Sequence, residues 1–179
     1  ASALSRVAAS DWPGLLDAAA AHGALALLES AVAASTIPAD ALADFQRRLL
    51  VQRMWTEQTV ASIERLAALF GAAGIPVLAL KGPVFAERYH PTVSDRPSID
   101  VDLLLRPDAL PAALRLLREA GYTSDAEIEA AYLLAHSHHL HFDRAGEPQL
   151  ELHFRAYHGF GVSMPASALM DRAEPYVFN

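Results

Sequence analysis

The chain contains no cysteine, which excludes a disulfide framework, a thiolate metal site and a cysteine nucleophile. Basic residues are few: Lys and Arg number 14 against 21 Asp and Glu, a formal net charge of -7. With a sequence pI near 5.5, the surface as a whole has no attraction for a nucleic-acid backbone or an anionic lipid, although a local basic pocket is compatible with this balance. Long apolar runs are missing too. The opening ASALSRVAASDWPG has no basic stretch leading into an apolar one, and the apolar run 24–34 is broken by Glu29 and too short to cross a bilayer. The expectation is a soluble, cytoplasmic protein with no membrane partner.

What is present is a chain of 179 residues, 53% hydrophobic and 20% charged, enough for one ordinary domain or a compact domain with a helical appendage. Its first part, 1–73, reads as a helical region. Ser10 or Asp11 can cap a helix with Pro13 in its first turn, and Gly23 and the stretch from Ser35 to Pro38 punctuate the chain beyond it. A long amphipathic helix is expected from Asp40 to Ala73, with Leu42, Phe45, Leu49, Leu50, Met54, Val60, Ile63, Leu66 and Leu69 inward and Arg47, Arg48, Gln52, Glu57 and Arg65 on other faces. Its Met, Phe and Trp residues read as core. Gly74 ends it.

From 74 to 179 the texture alternates. Pro76–Leu80 and Ile99–Leu105 read as strands, with Lys81-Gly82 turning into a helix that carries Val84, Phe85, Arg88 and Tyr89. Pro107-Asp108 opens a helix that stops at Gly121, and 126–135 is expected to be helical. The segments 138–143 and 149–155 then read as a hairpin around Arg144–Glu147. The expected fold is α/β (α+β): a small mixed sheet behind an N-terminal helical region.

Within DRPSIDVDLLL (95–105), alternation sends Asp100 and Asp102 to one face and Ile99, Val101 and Leu103 to the other. Two residues along a strand span roughly 6.6 Å, so both carboxylates can reach a pair of divalent ions about 3.5–4 Å apart. A lone D-x-D is equally the wet face of an edge strand. Lys81-Gly82, at a strand-to-helix junction, can seat phosphate oxygens with backbone N–H groups and an ammonium, or be an ordinary turn. In Leu150-Glu151-Leu152-His153-Phe154, alternation adds Glu151 and His153 on one face. Three carboxylates on neighbouring strands can hold two Mg²⁺ ions that bind a nucleoside triphosphate.

The order L-K-G, an arginine, I-D-V-D-L-L-L, a helix ending at Gly121-Tyr122, histidines, then L-E-L-H resembles the uncharacterised nucleotidyltransferase family of the DNA polymerase β superfamily. The resemblance covers approximately 75–155. It implies that Asp100, Asp102 and Glu151 are catalytic metal-binding residues, and that Lys81-Gly82 stands where that superfamily usually has Gly-Ser or Gly-Gly against the triphosphate. It also implies that Arg96 and Ser98 belong to the motif leading into the metal strand. Glu151 stands where many members have aspartate, and relatives continue past 179 into a helical region. The implied cofactor is Mg²⁺ or Mn²⁺, with a nucleoside triphosphate, ATP by expectation, as co-substrate.

His136, His138, His139 and His141 invite a zinc reading, but strand alternation puts only His139 and His141 together. If Leu140 and Phe142 pack beside Leu150, Leu152 and Phe154, these two histidines share the face of Glu151 and line the cleft; the alternative is a polar edge strand without a role. His153 can touch triphosphate or orient a carboxylate. Arg96 can pair with phosphate or with Asp95. The acidic balance favours a small molecule or peptide over a polynucleotide as acceptor, and the resemblance adds peptide tailoring. The competing class is a non-catalytic nucleotide-binding or regulatory protein on the same fold. The pocket is expected to draw on helices before Gly74 and on residues after Arg155.

Overall fold

A computed structural model describes residues 3–124, 136–159 and 161–178; the helix expected over 126–135 lies outside the described residues. Three helices come first: α1 (Trp12–Ala21), α2 (Leu25–Ala33) and α3 (Ala39–Ala72). Asp11 stands at the N-cap of α1, but its carboxylate accepts a hydrogen bond from the Ser10 hydroxyl (3.0 Å) and caps no backbone N–H. Trp12, Leu16, Leu25, Val32, Phe45 and Leu49 form a buried cluster among these helices.

At 34 residues, α3 is about 51 Å long and outruns that cluster. Its second half supplies Ile63, Leu66 and Phe70 to a different core, beneath the sheet. Between the two, α3 buries Thr56, Thr59 and Ser62 completely. The uniform apolar stripe expected along α3 is therefore corrected: Leu50 is 59% exposed, Met54 59% and Trp55 43%. The reason is what lies opposite. The middle of α3 packs against the backbone leading into the Asp100 strand, where Gln52 donates to the Ser94 carbonyl (3.0 Å) and the Thr59 hydroxyl lies 3.3 Å from the Ser98 carbonyl. Small side chains permit that approach, Gln52 and Thr59 meet the incoming carbonyls while Thr56 bonds back to its own helix at the Gln52 carbonyl (3.0 Å), and the bulky apolar residues turn outward. Gly74, at φ 68°, ends the helix as its motif requires, the Ile75 N–H returning to the Phe70 carbonyl (2.9 Å).

The remainder runs β1 (Leu78–Ala79), α4 (Pro83–Tyr89), β2 (Asp100–Leu104), α5 (Leu110–Glu119), β3 (His139–Phe142), β4 (Gln149–His153), β5 (Arg155–Gly159), β6 (Val162–Pro165) and α6 (Ala166–Met170). The protein is a mixed α+β fold with a four-stranded sheet in the order β1-β2-β4-β3; β5 and β6 form a separate hairpin. β2 and β4 are parallel, while β1 and β3 flank them antiparallel. Val101 and Leu103 of β2, Leu150 and Leu152 of β4, and Leu140 and Phe142 of β3 face one core with Leu110, Ala113 and Leu117 of α5. The expected hairpin is present, with Gly146 at φ 76° in its turn.

Two strand expectations need correction. The first strand is confined to Leu78–Ala79 at the sheet edge: Pro76 has no N–H to extend it at its start, and at its end only the Leu80 N–H still reaches the Asp102 carbonyl (3.1 Å). Ile99 precedes β2 and is 77% exposed rather than buried with Val101 and Leu103, because strand alternation does not hold before the strand begins. Past α6 the chain returns along the β1 edge, with Phe178 against the sheet core and the Tyr176 hydroxyl donating to Glu87. Among the described residues no helix is long and apolar enough to cross a membrane.

Candidate active site

Register builds the site. Asp102 pairs with Glu151 across the parallel β2–β4 ladder, and Glu151 pairs with His141 across β4–β3, so three polar side chains form one row. The next row on that face is Leu104, His153 and His139. The opposite face of the same strands is the aliphatic core. Core burial thus dictates which residues face the cleft, since a one-residue slip would drive Asp102 and Glu151 into the core.

The centre of the cluster is Asp102, whose side chain is 1% exposed. One oxygen, Oδ1, receives both the Lys81 ammonium at 3.1 Å and His153 Nε2 at 3.0 Å. The other, Oδ2, is buried without a hydrogen-bond partner. Burial alone would push this carboxyl up, but the hydrogen bonds from His153 and Lys81 outweigh it and hold Asp102 below the usual carboxylate range. Glu151 goes the other way: burial and the neighbouring charge of Asp102 raise it. Burial works against the Lys81 ammonium, yet Asp102, with help from Asp100 and Glu151, keeps it firmly protonated. His139 is pushed down to about 4, by burial first and then by the surrounding His138, His153 and His141.

These observations bear on a metal. The ligand atoms of Asp102, Glu151 and His153 lie within 4.8 Å of one another. An unpartnered buried carboxylate oxygen beside a second carboxyl that resists ionisation is an environment a hard divalent cation would relieve. Asp100 belongs to no such group among the described residues; its Oδ1 accepts from the Ser98 hydroxyl at 3.1 Å.

Asp100 instead lines a cavity of about 590 Å³ together with Lys81, Gly82, Arg96 and Ser98. Glycine is favoured at position 82 on two grounds. Its φ of 66° and ψ of -138° suit glycine alone, and a Cβ there would stand 3.0 Å from Ser98 Oγ. The expectation of a helix-terminus phosphate seat is weakened by Pro83, which occupies the first turn of α4 and has no N–H to offer. The Arg96 guanidinium sits 5.4 Å over the Phe85 ring. Lys81 joins the cavity to the carboxylate cluster, and it is the only lysine in the sequence, a compositional signal that marks it out.

Arg47, Arg48 and Gln52 of α3 and the α1–α2 turn at His22-Gly23 also line this cavity. Sequence periodicity placed Arg47 and Arg48 merely off the apolar stripe. Asp44 holds both, and Asp17 binds Arg48 at 2.7 Å. Gly23, at φ 63°, packs on Pro97, where a Cβ would stand 3.0 Å from Cγ. The helices before Gly74 therefore wall the cavity as expected, while no described residue after Arg155 contributes to it.

A small mixed sheet with a buried aspartate and a glutamate side by side on parallel strands, flanked by helices, is of the nucleotidyltransferase type. The chain belongs to the family described as uncharacterised nucleotidyltransferases, whose model matches residues 8–179 and so takes in the N-terminal helices as well as the sheet. Membership carries a general role in nucleotidyl transfer. No curated protein and no solved structure matches the chain.

Proposed function

We propose that the protein transfers a nucleotidyl group from a nucleoside triphosphate, ATP by preference, to a hydroxyl or phosphate oxygen of a small molecule or peptide. The observation that carries this reading is the convergence of Lys81, Arg96, Arg47 and Arg48 on one cavity in a chain whose formal net charge is -7. Lys81, Arg47 and Arg48 are each held by an aspartate (Asp102, Asp44 and, for Arg48, also Asp17), and a polyphosphate would compete with these carboxylates for them while adding Arg96. The bond from the acceptor oxygen to the α-phosphorus forms as the bond to the bridging oxygen breaks; pyrophosphate leaves and the acceptor proton passes to water.

Asp102 and Glu151 would hold Mg²⁺ or Mn²⁺, with Asp100 as the third carboxylate on turning from the Ser98 hydroxyl; the ion, when bound, lowers the pKa of the acceptor hydroxyl and screens phosphate charge. Lys81 draws the leaving phosphates, Arg96 and Ser98 hold the nucleotide beside Asp100, and Gly82 lets the backbone approach. His153 fixes the rotamer of Asp102 through its hydrogen bond, and His139 and His141 border the acceptor side.

The Lys81–Asp102 pair favours a second reading, nucleotide binding without transfer, because the buried aspartate already has a counter-cation. The two separate experimentally. Nucleoside triphosphate with Mg²⁺ or Mn²⁺ is expected to raise the melting temperature of the wild type, and Asp100→Asn with Asp102→Asn to abolish that shift. Labelled triphosphates incubated with a cell extract should give a product heavier by one nucleotidyl group. A thermal shift with no such product for any nucleotide supports the binding reading; no shift at all sinks both.

A further inference from the structure

The imidazoles of β3 converge in a way that a merely wet edge strand does not require. His139 and His141 are two apart on one face, yet their Nε2 atoms lie 2.8 Å apart with the rings stacked at 17°. Glu151 brings a third ligand atom, its Oε1 being 3.6 Å from His141 Nε2. The ligand atoms of these three side chains fall within 4.8 Å of one another.

Around a tetrahedral ion with bonds of about 2.0–2.1 Å, ligand atoms stand about 3.3 Å apart, and the two measured separations bracket that figure. Glu151 also divides its carboxylate: Oε1 faces His141, while Oε2 faces His153 at 3.4 Å, on the Asp102 side. One carboxylate can thus serve two neighbouring cation positions. Two imidazole nitrogens strongly disfavour Mg²⁺, which prefers an all-oxygen shell, and suit zinc-class ions. The site is reachable, since the His141 side chain is 52% exposed and β3 is an edge of the sheet.

We propose that His139, His141 and Glu151 form a separate binding site for a transition-metal ion of the Zn²⁺ class, adjacent to the Asp102 carboxylate and sharing Glu151 with it. The remaining coordination position faces the cleft and is open to water or an acceptor atom. The site does not depend on nucleotide transfer, so it stands or falls separately from the proposed activity.

The test uses the tag-free 179-residue chain in excess Mg²⁺. Zn²⁺ is titrated by calorimetry, and Co²⁺ by the visible absorption of a tetrahedral ion. The expected result is one ion per chain, with affinity falling by more than about tenfold in His141→Ala and in His139→Ala and unchanged in His138→Ala. Because His141 lies on the surface, its variant keeps the fold, which circular dichroism checks. Three results would overturn the proposal: no binding under excess Mg²⁺, binding unchanged in His141→Ala, or equal loss in His138→Ala, which would move the ion to the alternative trio of His138, His139 and His153. Nucleotide binding measured on the same variants keeps the two proposals apart.

Discussion

Asp102 shows how a single residue can be both buried and charged. Its carboxylate is excluded from water, and what keeps it ionised is a pair of hydrogen bonds on one oxygen from Lys81 and His153. The other oxygen has no hydrogen-bond donor, and the group lies beside the Glu151 carboxyl, which Asp102 makes harder to ionise, a pairing that a cation would relieve. Gly82 works the opposite way, since its contribution is the lack of a side chain. Gly82→Ala would force a non-glycine residue into a backbone region that costs about 1–3 kcal/mol, and would press its Cβ on the Ser98 hydroxyl that orients Asp100. The expected outcome is a loss of that order in urea-denaturation stability, together with weaker nucleotide binding. Unchanged stability would mean that the Lys81–Ser98 neighbourhood relaxes freely.

At the scale of elements, α3 carries the architecture. It joins two cores, and its polar middle is the contact with the segment entering β2. Near its start Asp44 restrains Arg47 and Arg48, which line the cavity. The Arg47 hydrogen bond is the main cause holding the Asp44 carboxyl below its ordinary 3.8, with Arg48 adding to it. Because the unfolded chain binds this proton first as pH falls, the stabilisation is complete above the ordinary carboxylate range and vanishes as pH drops through the depressed folded value. Asp44→Asn should therefore lower stability at neutral pH and converge with the wild type in acid, read from denaturation curves across a pH series. The carboxylate is half-buried at the surface and its arginine partners reach solvent, so the effect is small.

At the scale of the whole molecule, a chain of formal net charge -7 gathers Lys81, Arg96, Arg47 and Arg48 at one cavity, three of them paired with aspartates. Binding of a nucleoside triphosphate there should weaken as ionic strength rises past the range where the Debye length is about 10 Å. Affinity in low and high salt, for the wild type and for Arg47→Ala, checks this; the variant should bind less tightly and depend less on salt. An affinity insensitive to salt would place the nucleotide elsewhere.

Sequence alone determined a good deal. Alternation in DRPSIDVDLLL and LELH put Asp100 and Asp102, and Glu151 and His153, each on one strand face, and put His139 and His141 with Glu151 on the condition that Leu140 and Phe142 join the core; the structure meets that condition and aligns Asp102, Glu151 and His141 by strand register. The long helix and its glycine stop were legible for similar reasons, a 3.6-residue period and the positive φ at Gly74. What only tertiary structure decided is what meets what across long separations in the chain. Periodicity treats Leu50 and Met54 as core, but they are exposed and Thr59 is buried, because backbone, not side chains, packs against the middle of α3. Likewise Arg47 and Arg48 carry no motif, and they reach the cavity of Lys81 and Arg96 only because α3 lies across the strand entry. Local pattern specifies a face of an element; which partner that face meets is set by how the elements pack.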